Sequence, residues 1–237
     1  MQLEPIVTLP LRTQLDLLRA HGVEDAFLPS VCSAQTLADR LTLLGIFRDE
    51  DRQVWVGSPL NVHRRCSQPM FAVVNRLAYG EKMVSHTPSR PELSLPASAW
   101  LHVAGQRSHG HWVAEEGERL EWLLRELRSH GVDFTQVFLI TPFRDVAGRL
   151  ARYRRHYPGM TAGTIHTAQG READVVILVL GGRLGRSGDK RWAALEPNLL
   201  NVAVSRAVRR LYVNGDRDAW ARHEHFSTLA ELLPVGG

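Results

Sequence analysis

Within His166-Thr167-Ala168-Gln169-Gly170-Arg171-Glu172 an imidazole, a hydroxyl, an amide, a guanidinium and a carboxylate surround one glycine. That is more hydrogen-bonding capacity than a simple connector needs. The apolar, β-branched run Val175-Val176-Ile177-Leu178-Val179-Leu180 follows directly and reads as a strand covered on both faces of a parallel sheet. A polar, glycine-containing loop beside such a strand is where α/β proteins place much of their chemistry. Further cations stand at Arg64-Arg65 and at Arg206. Arginine greatly outnumbers lysine, and its planar fork suits phosphate. The composition alone leaves a genome-wide arginine bias open as the cause.

The elements that must position these groups are legible along the chain. Leu11–Ala20 has a leucine face and a glycine after it, and a second helix is expected from Ser33 to Leu44. A helix follows Pro69, and Pro88–Pro96 is a Pro/Ser connector. A strand is expected over residues 99–104, and Glu115–His130 is amphipathic with acids at its start and Gly131 at its end. Val137–Ile140 reads as a buried strand ending at Thr141-Pro142-Phe143, and Asp145–His156 as one basic helix. Residues 181–196 read as a solvated basic loop. Pro197 then opens a helix through Ala207, and a strand runs over 209–216. A terminal helical segment ends near Leu233, leaving Pro234-Val-Gly-Gly as a tail. Strands alternating with helices favour a parallel α/β sheet.

At 237 residues, 44% hydrophobic and 23% charged, the chain has the composition of a globular protein, with net charge +4 and a pI near 9.5. Cys32 and Cys66 provide neither a disulfide framework nor metal-ligand spacing, which points to a reducing cytoplasm. No long apolar run suggests a membrane span. The pairs His109/His111 and His223/His225 read as surface loops, so no metal site is expected. Arg48-Asp49-Glu50 superficially mimics a Walker B sequence, but no G-x-x-x-x-G-K-[ST] exists in the chain to accompany it.

The segments Thr164–Leu178 and Leu199–Asp216 together resemble motifs V and VI of superfamily 1 helicases, nearest the branch of the RNA-surveillance helicase, the Okazaki-fragment helicase-nuclease and RecD. Gln2-Leu3 and Pro5 resemble the tail of motif III, so the resemblance implies a chain beginning inside that motif. Arg65, with one extra residue before Pro69, resembles the arginine of a Y-R-M-H-P segment, and Arg64 stands where tyrosine is common. The resemblance implies a RecA-like, P-loop-NTPase-type parallel sheet with helices on both faces that lacks its own P-loop. One domain is expected over 1–237, with entry helices to 95, core sheet over 96–220 and a terminal helix and tail beyond.

The resemblance further implies the C-terminal motor domain of an ATP-dependent helicase, inactive as an ATPase alone. Arg206, then Arg65 and Gln2, would face the γ-phosphate. Glu172, Gly170, Gln169 and Arg64 would serve the nucleotide, and Thr141, Thr164, His166 and Thr167 the single strand, with DNA favoured. ATP and Mg²⁺ are the implied cofactors, the Mg²⁺ ligands lying on a partner N-terminal RecA-like domain that carries the P-loop. A stand-alone nucleic-acid-binding module and a truncated frame are the alternatives.

Overall fold

The computed structural model describes residues 9–30, 32, 38, 39, 41–47, 55–57, 61–195 and 197–236. Gln2, Ser33 and Arg48–Glu50 lie outside the described residues. The chain forms two compact units, residues 2–61 and residues 62–237.

In the smaller unit helix α1 spans Leu11–Ala20. None of its leucines is buried, and the buried residue is Gln14, whose Nε2 donates to the Leu9 carbonyl at 2.7 Å while its Oε1 accepts the Ser30 N–H at 3.1 Å. Strands β1 (Gly45–Phe47) and β2 (Trp55–Gly57) pair antiparallel.

In the larger unit β3 (Val62–His63) pairs with β4 (Val84–Ser85) across helix α2 (Met70–Tyr79). A short hairpin, β6 (Ser108–His109) and β7 (Trp112–Val113), precedes helix α3 (Ala114–Ser129). The core is a six-stranded sheet of β5 (Ala99–His102), β8 (Val137–Thr141), β9 (Thr161–Thr164), β10 (Ala173–Val179), β11 (Ala207–Gly215) and β12 (Val235–Gly236). Its order is β12-β5-β11-β10-β8-β9, and every pairing is parallel. Strands β10 and β8 are apolar on both faces, with Val175–Leu180 and Val137–Ile140 essentially without solvent contact. Each such side chain contributes about 1.5–3 kcal/mol by burial.

Two helix groups cover the sheet. One packs α2 against α6 (Pro197–Ser205) and α8 (Glu224–Leu232), joined by α5 (Ser187–Ala194). The other is α3 with α4 (Arg144–Leu150) and the tight turn after it, where the Tyr153 hydroxyl donates to the Gly117 carbonyl. The fold is RecA-like: a parallel α/β sheet with helices on both faces.

Several local expectations change. The basic segment after Asp145 is α4 followed by a 3₁₀ turn over Ala151–Arg155, so its arginines do not share one α-helical face. The stretch over 181–196 is a loop only to Arg186; α5 follows, because Ala193 and Ala194 bury and Asp189 pairs with Arg183. The terminal helical segment is two helices, α7 (Arg217–Trp220) and α8. The supposed tail is β12, which pairs Val235 with Trp100 and covers the open edge of β5.

The link from β9 to β10 positions the loop of interest. It must carry the chain from the C-terminal end of β9 past β8 to the N-terminal end of β10. Parallel crossovers usually take a dozen or more residues and a helix; residues 165–172 do it with a 3₁₀ turn, His166–Ala168, and a second turn closed by the Arg171 N–H on the Ala168 carbonyl.

Candidate functional site

Two backbone hydrogen bonds and one thiol contact draw one end of the sheet together. The Ala173 N–H donates to the Arg206 carbonyl at 3.0 Å, which sets Glu172 beside the end of α6. The Ser67 N–H donates to the Val208 carbonyl at 2.9 Å, which docks the turn before α2 at the same place. The Cys66 thiol lies 3.7 Å from the Ser205 carbonyl.

On this frame Arg65 Nε lies 2.9 Å from Glu172 Oε2, with side chains 44% and 56% exposed. Arg206 is adjacent but only 8% exposed. Its Nε donates to the Val202 carbonyl at 3.2 Å, its Nη1 to the Arg171 carbonyl at 2.9 Å and its Nη2 to Ser205 Oγ at 3.1 Å. Burial, then the charge of Arg65, lowers its pKa from the ordinary guanidinium value. Cys66 is fully buried, and burial pushes its thiol up to about 12 despite the nearby arginines, so it is no nucleophile. His63 Nε2 accepts the Cys66 N–H at 2.9 Å. Burial and the charge of Arg65 lower the pKa of His63, which favours the neutral ring that role needs.

The opposite end of the sheet holds the threonines. Thr141 and Thr164 stand in register on β8 and β9. Thr164 Oγ1 accepts the Thr167 N–H at 3.4 Å, and the Thr167 hydroxyl donates to the Thr164 carbonyl at 2.8 Å. A Cβ on Gly163 would lie 2.3 Å from Thr167 Oγ1, so that position must stay bare for this turn. His166 and Thr167 are exposed. Thr141 is fully buried, and its Oγ1 accepts the Phe143 N–H at 3.4 Å. Its hydroxyl therefore shapes the turn after β8 in this structure.

Between the two ends Gln169 is exposed and Gly170 adopts φ +81°, the left-handed region that favours glycine. Arg171 lies over the Phe138 ring, 5.0 Å from its centroid. Arg64 is exposed. The structure thus brings Arg65, Glu172 and Arg206 together at one end, Thr164, His166 and Thr167 at the other, and Gln169–Gly170 between them.

The sequence reading missed Ser205 and the Arg171 carbonyl, which together hold the Arg206 guanidinium. The Ser-Arg adjacency in α6 was the available signal. It also missed Glu116, which is 2% exposed at the first turn of α3 and whose Oε2 accepts the Gly181 N–H at 2.8 Å.

A nucleotide's terminal phosphate needs a reachable cation, and the nearly half-exposed Arg65 provides one; Glu172 beside it offers an acceptor for a hydroxyl. The residues at this edge therefore fit part of a nucleotide site. Among the described residues no group of three His, Cys, Asp or Glu could hold a metal ion, and no helix is long and apolar enough to cross a membrane.

Arg65 and Arg206 thus stand together at the N-terminal end of the central strands of a parallel sheet. The profile of the AAA domain family matches residues 46–218, and the chain belongs to that family. The resemblance of its motifs to those of superfamily 1 helicases stands with that assignment. Three solved structures are similar to the chain. The C-terminal domain of a possible DNA helicase from Lactobacillus plantarum is 12% identical, with 73% of this chain and 99% of that one covered and a TM-score of 0.43. The PRRSV helicase is 18% identical over 69% of this chain and 24% of its own, at 0.34. The arterivirus nonstructural protein 10 helicase is 17% identical over 76% and 29%, at 0.35. The chain thus spans about a quarter of the viral helicases' length. No curated protein matches the chain.

Proposed function

We propose that the chain is the second, C-terminal motor domain of an ATP-dependent superfamily 1 helicase, acting on single-stranded nucleic acid, DNA foremost. The observation that carries this reading is the convergence of Arg65, Glu172 and Arg206 at one edge of the sheet, joined by residues 165–172 to Thr164, His166 and Thr167 at the other. A partner domain with a P-loop and Mg²⁺-binding acids would supply the remaining half of the site.

In this reading Arg65 faces the charge that develops on the transferred phosphoryl group. An arginine in that role contributes about 10³–10⁵ in rate. Arg206, though it has the stronger motif, holds the loop carbonyl at 171 and steadies Glu172. Glu172 accepts from a ribose hydroxyl or keeps Arg65 oriented between turnovers. The exposed threonine turn takes the strand's backbone without reading its sequence. Cys32 and Cys66 are buried and not joined in a disulfide, which fits a reducing cytoplasm.

The test has two arms. The purified chain should show no ATP turnover, yet bind oligothymidylate with an affinity that falls steeply with salt. In a protein joining this chain to a P-loop domain, Arg65→Ala should lower kcat by about 10³ or more without loss of strand binding. Turnover by the isolated chain that Arg65→Ala or Arg206→Ala abolishes would sink the half-site reading.

A further inference from the structure

At the same end of the sheet as the exposed threonine turn lies a set of rings that the motor reading does not use. The His111 ring lies flat on Phe143, with centroids 4.2 Å apart and planes 6° apart. Trp192 meets the same Phe143 at 6.1 Å and 37°. The base of this stack is locked. His111 Nδ1 lies 2.9 Å from Asp145 Oδ1 and its Nε2 3.4 Å from Asp189 Oδ2, and the His111 backbone N–H donates to Asp145 Oδ2 at 2.8 Å. Arg183 grips Asp189 with two bonds of 2.7 Å. Both nearby carboxylates are therefore already paired with cationic or N–H partners.

The top of the stack is open. Trp192 is 56% exposed, although its neighbours Ala193 and Ala194 on α5 are buried. A Cβ at Gly188, one turn earlier on the same helix, would meet nothing within 4 Å, so that surface is bare. Two other indoles carry a guanidinium: Arg119 lies 4.1 Å from the ring centroid of Trp122, itself 43% exposed, and Arg149 lies 5.6 Å from that of Trp112. Among the described residues no guanidinium covers Trp192. Exposed Arg186 and Arg191 flank it along the chain. Phe143 begins two residues beyond Thr141, which stands level with Thr164, so the rings occupy the same end of the sheet as the threonine turn.

We propose that Trp192, backed by Phe143 and His111, is a stacking platform for an unpaired base of a single-stranded nucleic acid, with Arg186 and Arg191 on the flanking phosphates. The proposal rests on the strand-contact reading above and adds the residue that would hold a base. Every nucleobase has a π-face, so such a step gives affinity without sequence choice. The indole leans on Phe143 at a tilt and leaves more than half of its surface free for a base. Arginines beside an aromatic face suit a polyanion carrying flat bases better than an apolar protein surface.

The experiment is fluorescence anisotropy of labelled oligothymidylate with the full 237-residue chain. Trp192→Ala should weaken binding about 5- to 100-fold, the range one stacked base provides. Trp192→Phe should retain most of the affinity, and Trp122→Ala should leave it unchanged. Arg186→Ala and Arg191→Ala should each reduce the salt slope by about one. With an abasic strand the difference between wild type and Trp192→Ala should vanish. If wild type binds and Trp192→Ala and Trp192→Phe both match it, the exposed ring is a protein-docking face and the platform is overturned while the strand reading survives. If wild type does not bind at all, both fall.

Discussion

Arg65 and Arg206 hold two successive residues of one loop: Arg65 Nε lies 2.9 Å from the Glu172 carboxylate, and Arg206 Nη1 donates at 2.9 Å to the carbonyl of Arg171. One arginine is nearly half exposed and the other is enclosed. Chemically alike, they are set for different work, since an exposed guanidinium can change partners and an enclosed one cannot.

Their substitution should therefore separate stability from activity. Arg206→Ala removes three hydrogen bonds to a buried cation and should lower unfolding free energy by about 2–4 kcal/mol. Arg65→Ala breaks an ion pair that water largely screens and should cost under ~1 kcal/mol. Urea unfolding of the two variants decides it. Equal losses would mean that the exposed pair carries more of the fold than its geometry implies.

The threonines give a second separation. Thr167→Val deletes the donor to the Thr164 carbonyl and an exposed hydroxyl, and Gly163→Ala drives a methyl into Thr167 Oγ1. Each should weaken strand binding roughly fivefold, the value of about one hydrogen bond. Thr141→Val, at a fully buried position, should leave binding near wild type. Titration of a labelled strand measures all three, and a large binding loss for Thr141→Val alone would reverse the assignment.

Glu116 sets a pH dependence. Burial raises its carboxyl from 4.5 to about 8; the Gly181 N–H and the charge of Lys190 oppose the rise, and Asp216 and Glu115 add to it. A folded-state pKa above the unfolded one means the neutral acid's contribution is whole below about 4.5 and is lost as pH climbs through about 8. Wild-type stability should therefore fall relative to Glu116→Gln between pH 5 and 8, by at most about 1.4 kcal/mol per pH unit. Thermal melts of both proteins across that range check this; parallel profiles would show that Glu116 is ionised in the fold.

Much of this was legible in the sequence because the informative signals were local. The buried strands at 137 and 173 and the amphipathic helix after Ala114 emerge within a residue or two of the expected bounds. The motif arginines and Glu172 do converge. What escaped depended on tertiary partners. Helix α5 forms in a Gly/Arg-rich stretch because Asp189 finds Arg183 and two alanines find the core. Residues 235–236 become a strand because the edge of β5 is free to accept them. The rank of Arg206 over Arg65 could not be judged from motif strength, because only the fold shows which guanidinium is enclosed.

The link from β9 to β10 also has little slack. From Thr164 to Ala173 the chain must descend roughly 20 Å along the strands and shift about 10 Å sideways past β8. Fully extended, residues 165–172 reach at most about 30 Å, and the excess is folded into two consecutive turns: His166–Ala168, and a second closed by the Arg171 N–H on the Ala168 carbonyl at 3.1 Å. The reserve is therefore held by hydrogen bonds rather than by a loose loop. A pull on Glu172 loads these turns, and the first of them carries Thr167.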